Sequence, residues 1–305
     1  MIHVKNLTRT YGDVIANDDL SFDVARGEIY GVLGHNGAGK TTLMLQLMGL
    51  LAPTRGEIVI QDVDVVKHPQ KVKELIGFLP QKSLPLRFLE LHKALYFTGR
   101  LRGMTEKAAH EQTDFLIHKL DMSPYRQTYV NQLSGGLLRL TNFAMALMGY
   151  APVLILDEPT NDLDPQHRRQ VWEMIEHINT EYGTTILIVT HNLLEAERVV
   201  QRVAVMQHGK IIIQGTPGEI KRQVQTFVQV ELWLKTQPTL PDHILEAISG
   251  EVIPVRAGHY RIMLPKETAQ TSIEALIKHM GFDEFDDFRI APPSLEDVYH
   301  HIQEA

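Results

Sequence analysis

The segment Gly34-His35-Asn36-Gly37-Ala38-Gly39-Lys40-Thr41 constrains this chain more than any other, because it fits G-x-x-x-x-G-K-[ST] in full. An apolar strand pattern over residues 27–33 runs into it, and an apolar helix pattern, Thr42-Leu43-Met44-Leu45, runs out of it. The glycines let the backbone curl so that successive amide N–H groups converge on phosphate oxygens, and the helix N-terminus adds its positive dipole end. Lys40 then bridges β- and γ-phosphates and the Thr41 hydroxyl ligates Mg²⁺, while Gly34, Asn36, Gly37, Ala38, Gly39 and Thr42 supply the remaining nucleotide contacts. A glycine-rich turn with an incidental lysine would explain the segment but not its flanks.

A second feature answers the first. In Val153-Leu154-Ile155-Leu156-Asp157-Glu158 four apolar residues drive a strand into a sheet and leave Asp157 at its carboxyl end, where open α/β sheets bind ligands. A carboxylate there holds Mg²⁺ through its water shell. Glu158 points to the other face and can polarise an attacking water, a role worth roughly 10²–10⁴ in rate. A solvated turn carboxylate before Pro159 is the competing reading of Glu158. Together the two segments indicate an Mg–nucleoside triphosphate.

Strand and helix patterns alternate through the first two-thirds of the 305 residues, with two-faced apolar strands at 27–33, 153–156 and 185–189. That is an α/β domain with a largely parallel sheet, expected over 1–223. Residues 82–150 read as a helical insertion, with Phe88, Leu91, Leu95 and then Leu116, Leu120 at helical spacing. From about residue 225 the pattern changes. Val228, Val230, Leu232 and Leu234 mark a half-buried strand, followed by a short helix (242–248), strands at 251–255 and 259–264, a helix over 267–280 stopped by Gly281, and a strand at 286–290. Ser294-Leu295-Glu296-Asp297 opens a last helix with capping-box spacing. The order β-α-β-β-α-β predicts a small ferredoxin-like α+β domain over 224–305.

Composition excludes several classes. Apolar residues at 44% and charged residues at 22% exclude wholesale disorder. The net charge of −7 argues against a nucleic-acid partner held by bulk charge. The absence of cysteine excludes disulfides, cysteine-ligated zinc and thiol catalysis. No run approaches the ~18–20 apolar residues of a membrane span, and the first seven residues alternate like a strand, so the chain reads as soluble and cytoplasmic.

Four further elements stand in order around the two phosphate-site segments. Gln81 ends Phe78-Leu79-Pro80-Gln81, and Leu133-Ser134-Gly135-Gly136 begins its serine 23 residues before Asp157. Asn161-Asp162-Leu163-Asp164 follows Asp157-Glu158-Pro159-Thr160, and His191 ends Val189-Thr190-His191. In this order and spacing the sequence resembles the ATP-binding subunit of an ABC transporter over roughly residues 1–220.

The resemblance implies a sandwich in which two such domains pack head to tail. Each ATP then lies between one subunit's Gly34–Thr41 segment and the other's Ser134-Gly135-Gly136. It implies that Gln81, with Thr41 and Asp157, attends Mg²⁺ and the attacking water, that His191 contacts the γ-phosphate, and that Asp164 lines the dimer seam. Tyr11, in Tyr11-Gly12-Asp13, matches the aromatic that stacks on adenine. The run Leu137-Leu138-Arg139-Leu140 departs from the family, which places Gln or Met and then basic residues there. The departure alters this helix's secondary contacts to the opposite nucleotide; slow turnover, or pairing with a different ATPase chain, is the corresponding expectation.

Pro293-Ser294-Leu295-Glu296-Asp297-Val298-Tyr299 is similar to the ending of subunits that serve efflux-type ABC transporters with separate membrane subunits. The resemblance thus implies an integral membrane partner, docked near Lys82, Leu84, Leu86, Arg87 and Phe88, and a peripheral place on the inner face of the membrane. Export is the first reading and import the alternative. A soluble ABC ATPase of translation or DNA maintenance would carry two nucleotide domains or a long coiled coil; here one phosphate-binding segment is present and 117 residues separate Lys40 from Asp157. A small-molecule kinase would have no use for Ser134-Gly135-Gly136.

Overall fold

The computed structural model describes residues 1–81, 86–224, 227–235, 239–241, 244–245 and 248–291. It divides into two units, Met1–Gly215 and Thr216–Ala305.

The first unit begins with strands β1 (Ile2–Tyr11) and β2 (Val14–Val24), then β3 (Ile29–Leu33), helix α1 (Lys40–Leu47), β4 (Arg55–Ile60), β5 (Val63–Asp64), α2 (Pro69–Leu75) and β6 (Ile76–Leu79). Helices α3 (Leu91–Leu101), α4 (Glu106–Lys119) and α5 (Gly135–Leu147) follow. The unit closes with β7 (Val153–Asp157), α6 (Pro165–Tyr182), β8 (Thr185–Thr190), the short α7 (Leu193–Ala196), β9 (Arg202–Gln207) and β10 (Lys210–Gly215).

Six strands form one sheet in the order β10-β9-β3-β8-β7-β6, parallel from β9 to β6 and antiparallel at the β10 edge. Every residue of β3, β7 and β8 is buried, which is why these strands read as unbroken apolar runs. The registers Leu33↔Thr190, Asp157↔Val189 and Leu79↔Leu156 bring the carboxyl ends of β3, β8, β7 and β6 to one edge of the sheet. The segments that follow these four strands therefore emerge side by side.

A second sheet, β2-β1-β4-β5, is antiparallel. Its apolar side (Leu7, Leu20, Phe22, Ile58) shares one core with Leu43, Met44 and Leu47 of α1 and with Tyr30, Ile155 and Leu187 of the parallel sheet. Helix α1 is thus clamped between two sheets, which fixes the loop preceding it.

Residues 86–150 contain α3, α4, α5 and two 3₁₀ turns but no strand of either sheet, matching the helical insertion. Thr105 caps α4 by accepting from the Ala108 N–H at 3.2 Å, with Glu106 favourably placed in the first turn. Residues 82–85, the first part of the expected docking segment, lie outside the described residues. Beside them Phe88 is 70% exposed, with the Arg87 guanidinium 5.3 Å above its ring.

The second unit holds α8 (Pro217–Val224), β11 (Phe227–Leu234), β12 (Glu251–Arg256), β13 (His259–Pro265), α9 (Ala269–Met280) and β14 (Phe285–Ala291). The strand order β12-β13-β11-β14, antiparallel throughout, is that of a split βαβ arrangement, with Val230, Leu232, Ile262, Leu264 and Leu276 in its core. Gly281 ends α9 at φ +74°, its N–H donating to the Ile277 carbonyl at 2.9 Å. Of the helix expected over 242–248, Ile244, Leu245 and Ile248 are described, the first two helical and Ile248 not; the last helix, from Ser294, lies outside the described residues. Among the described residues no helix is long and apolar enough to cross a membrane.

Candidate functional site

The loop between β3 and α1 curls through three glycines at positive φ: Gly34, Gly37 and Gly39. Two are fixed by crowding. A Cβ on Gly34 would lie 2.4 Å from the Met206 carbonyl oxygen, and one on Gly39 would lie 2.2 Å from that of Ala16. At Gly37 a Cβ would meet nothing within 4 Å, so the crown of the loop faces open space. Asn17, buried in β2, donates from its amide to the Gly39 carbonyl at 3.1 Å, and the Gly209 N–H donates to the Ala38 carbonyl at 3.1 Å. Lys40 folds back inside the loop, donating to the carbonyls of Gly34 and, at 2.9 Å, His35. Burial pulls its pKa below the ordinary lysine value, against the opposing pull of the Glu158 and Asp157 charges.

A cavity of about 430 Å³ opens over this loop, lined by Asn36, Gly37, Gly39, Lys40, Thr41, Thr42, Gln81, Asp157 and Glu158. Val14, Ile15, Ala16, His208 and Gly209 close its other side. Asp157 is buried, and burial, then the neighbouring Glu158 charge, pushes its carboxyl up to about 6 despite Arg139 and Lys40. Glu158 sits at φ +49°, with its N–H on the Val189 carbonyl at 2.8 Å. Its carboxylate is oriented by the end of β8. One oxygen accepts from the Thr190 hydroxyl at 2.7 Å; the other meets the His191 N–H at 3.0 Å and the His191 Nδ1 at 2.7 Å.

This donor set fits a polyphosphate with a hard divalent cation. The curled amides, the Lys40 ammonium and the first turn of α1 face one cavity. The Thr41 hydroxyl and a buried carboxylate with a raised pKa stand beside them. Among the described residues no group of three His, Cys, Asp or Glu side chains is placed to hold a metal ion, so a cation here would keep several waters, as Mg²⁺ does.

The remaining expected residues lie elsewhere. His191 is outside the cavity lining, its side chain 49% exposed and turned onto Glu158. Tyr11 is also outside it, 46% exposed, with the Arg9 guanidinium 4.6 Å over its ring. Ser134 caps α5, accepting from the Leu137 N–H at 3.4 Å, and Gly135 faces open space; neither lines the cavity. Asp164 caps α6, accepting from the N–H groups of Gln166 (3.0 Å) and His167 (3.1 Å), bonds that with the His167 ring hold its carboxyl below the usual range.

Sequence reasoning missed three supports: Asn17, Arg139 and Glu195. Glu195 of α7 accepts from the Thr160 hydroxyl (2.9 Å), Arg168 (2.5 Å) and the Trp172 indole (3.2 Å), joining α7 to α6 and to the loop after Glu158. Arg139 was legible only as a lone cation in an apolar run.

Residues 17–161 match the ABC transporter family. The whole chain aligns with the daunorubicin resistance ATP-binding protein DrrA3 of Streptomyces coeruleorubidus, 38% identical over 304 residues, covering 99% of this chain and 95% of that one. The chain belongs to the ATP-binding subunits of ABC transporters. This ABC subunit is also 35% identical over 258 residues to the Nod factor export ATP-binding protein I of Burkholderia lata, covering 83% and 84% of the two chains. A solved ATP-binding subunit of an ABC transporter superposes with a TM-score of 0.69 at 26% identity, covering 73% of this chain and 93% of that one. The subunit is therefore an ABC ATPase whose nucleotide fold is the first unit.

Proposed function

We propose that this ABC ATPase works as a pair, closes on two ATP molecules, and drives export through a separate integral membrane subunit that holds it at the inner face of the membrane. The observation that carries the pairing is the separation of the two anion sites. Ser134, Gly135 and Gly136 place a hydroxyl and the first amides of α5 outside the Lys40 cavity, an arrangement suited to a γ-phosphate held in a second subunit's site. Export is supported by the names of the relatives, which denote daunorubicin resistance and Nod factor export.

In this reading Gly34, Asn36, Gly37, Ala38, Gly39, Lys40, Thr41 and Thr42 hold the nucleotide, and Tyr11 turns onto its base. Thr41, Gln81 and Asp157 are the residues that hold Mg²⁺, which supplies neutralisation of phosphate charge when bound. Glu158 orients and polarises the attacking water. His191, hydrogen-bonded to Glu158, reads the γ-phosphate, and Asp164 lies at the seam. ATP closes the pair because it binds the closed arrangement better than the open one; closure is a population shift powered by phosphate contacts. The accessory domain, expected from residue 224, falls within the second unit, which begins at Thr216.

The test is purification of the tagged chain from native membranes in detergent. A polytopic membrane protein should copurify, and the complex should hydrolyse ATP faster than the isolated chain, with both rates lost in Lys40→Ala. Recovery of the chain without a membrane protein would overturn the transport reading.

A further inference from the structure

Arg139 stands in the second turn of α5, the helix that begins with Gly135 and Gly136. It is 6% exposed, between the buried Leu137 and Leu140. A buried guanidinium is costly unless its donors are met. Here the two terminal nitrogens are met by backbone carbonyls of two separate segments, while the buried Nε has no hydrogen-bond partner. Nη1 donates to the Pro80 carbonyl at 2.6 Å; Nη2 donates to the Glu158 carbonyl at 2.7 Å and to that of Asp157. Pro80 immediately precedes Gln81, and Asp157 and Glu158 are the acidic pair itself. The apolar run that departs from the family pattern therefore packs Leu137 and Leu140 inward and sends its one cation under the floor of the nucleotide cavity.

Glu158 needs such a support. It holds φ +49°, a conformation that non-glycine residues keep only where the surroundings over-determine it. Its N–H is held by Val189 and its carbonyl by Arg139, so the turn is pinned from both sides. The same guanidinium fixes the backbone before Gln81. One side chain thus sets the spacing between the two segments that flank the attacking water.

We propose that Arg139 is a positioning residue for ATP hydrolysis, holding the Gln81 and Glu158 segments in their reactive spacing from the helix that carries Ser134-Gly135-Gly136. Its donors touch neither nucleotide nor water; they act through the Pro80, Asp157 and Glu158 carbonyls. Because α5 presents its N-terminus to the opposite subunit's ATP, Arg139 also ties the state of that nucleotide to the water-orienting groups of its own site. The inference rests on the proposed roles of Glu158 and Gln81.

The experiment compares Arg139→Met and Arg139→Lys with the wild type, and runs Glu158→Gln beside them. Sites are counted by stoichiometric binding of a fluorescent ATP analogue, and turnover is expressed per counted site. Arg139→Met should lose at least tenfold in kcat while nucleotide affinity stays within about threefold. Arg139→Lys, which keeps a cation able to reach part of the carbonyl set, should recover part of the rate yet remain at least threefold below wild type. Wild-type turnover per site in Arg139→Met, or a loss of affinity that parallels the loss of rate, would overturn the proposal. If the Met variant does not fold, Arg139→Lys decides alone: reduced kcat at unchanged affinity supports the role, and wild-type kcat rejects it. Wild-type turnover in Glu158→Gln would instead overturn the reading on which the inference rests.

Discussion

Replacing Asp157 by Asn removes a charge that the nucleotide-free fold holds at a cost. Burial and the adjacent Glu158 charge raise its carboxyl from the ordinary 3.8 to about 6. At about 1.36 kcal/mol per pH unit this corresponds to at most about 3 kcal/mol of destabilisation at neutral pH. Solvent reaching the open cavity screens part of it, leaving about 1–2 kcal/mol. The sign follows from proton uptake. Between about pH 4 and 6 the native carboxyl holds its proton while the unfolded one has lost it, so the native state binds more protons and stability falls as pH rises. The penalty is complete above about pH 7 and absent below about pH 4. Asp157→Asn should therefore raise the melting temperature of the nucleotide-free protein by about 2–8 °C at pH 7.5, taking about 2–4 °C per kcal/mol. The gain should shrink steadily as the pH is lowered toward 5. Differential scanning fluorimetry of both proteins across that range measures it. A variant less stable than wild type at pH 7.5, or a gain independent of pH, would refute the electrostatic account of this carboxylate.

Gly39→Ala drives a Cβ to 2.2 Å from the Ala16 carbonyl at φ +99°, so nucleotide binding should be lost and stability should fall by about 3 kcal/mol or more in chemical denaturation. Gly37→Ala, at φ +87° but facing open space, should cost only about 1–2 kcal/mol in the same assay. Glu195→Ala strips partners from Thr160, Arg168 and Trp172, and should destabilise the protein by about 2–3 kcal/mol, read as a fall in melting temperature of about 4–12 °C.

The buried strands and the phosphate loop were legible because each is dictated locally. β3, β7 and β8 carry apolar residues on both faces, and the glycine spacing before Lys40 serves a backbone conformation few other residues adopt. The antiparallel sheet was not anticipated beyond its first strand. β2 carries Asn17-Asp18-Asp19 in its middle, and their strand conformation comes from pairing with β1 rather than from an alternating pattern. The hairpin between β9 and β10 turns at His208 and Gly209, both at positive φ, and was likewise missed, so the far wall of the cavity went unassigned. Arg139 and Glu195 escaped for a different reason. Their chemistry lies in carbonyls and side chains 18 to 59 and 23 to 35 residues away, a relation the register of the parallel sheet creates and local pattern does not encode.

The central claim is that two copies share each nucleotide, the Lys40 loop of one facing Ser134, Gly135 and Gly136 of the other. Sedimentation velocity of Glu158→Gln, which on the role proposed for Glu158 should retain ATP without turning it over, tests this most directly. With saturating ATP and Mg²⁺ the account predicts a species of twice the monomer mass with two nucleotides bound, reverting to monomer when Ser134→Arg is added. A Glu158→Gln protein that binds ATP and remains a monomer at micromolar concentration would contradict it.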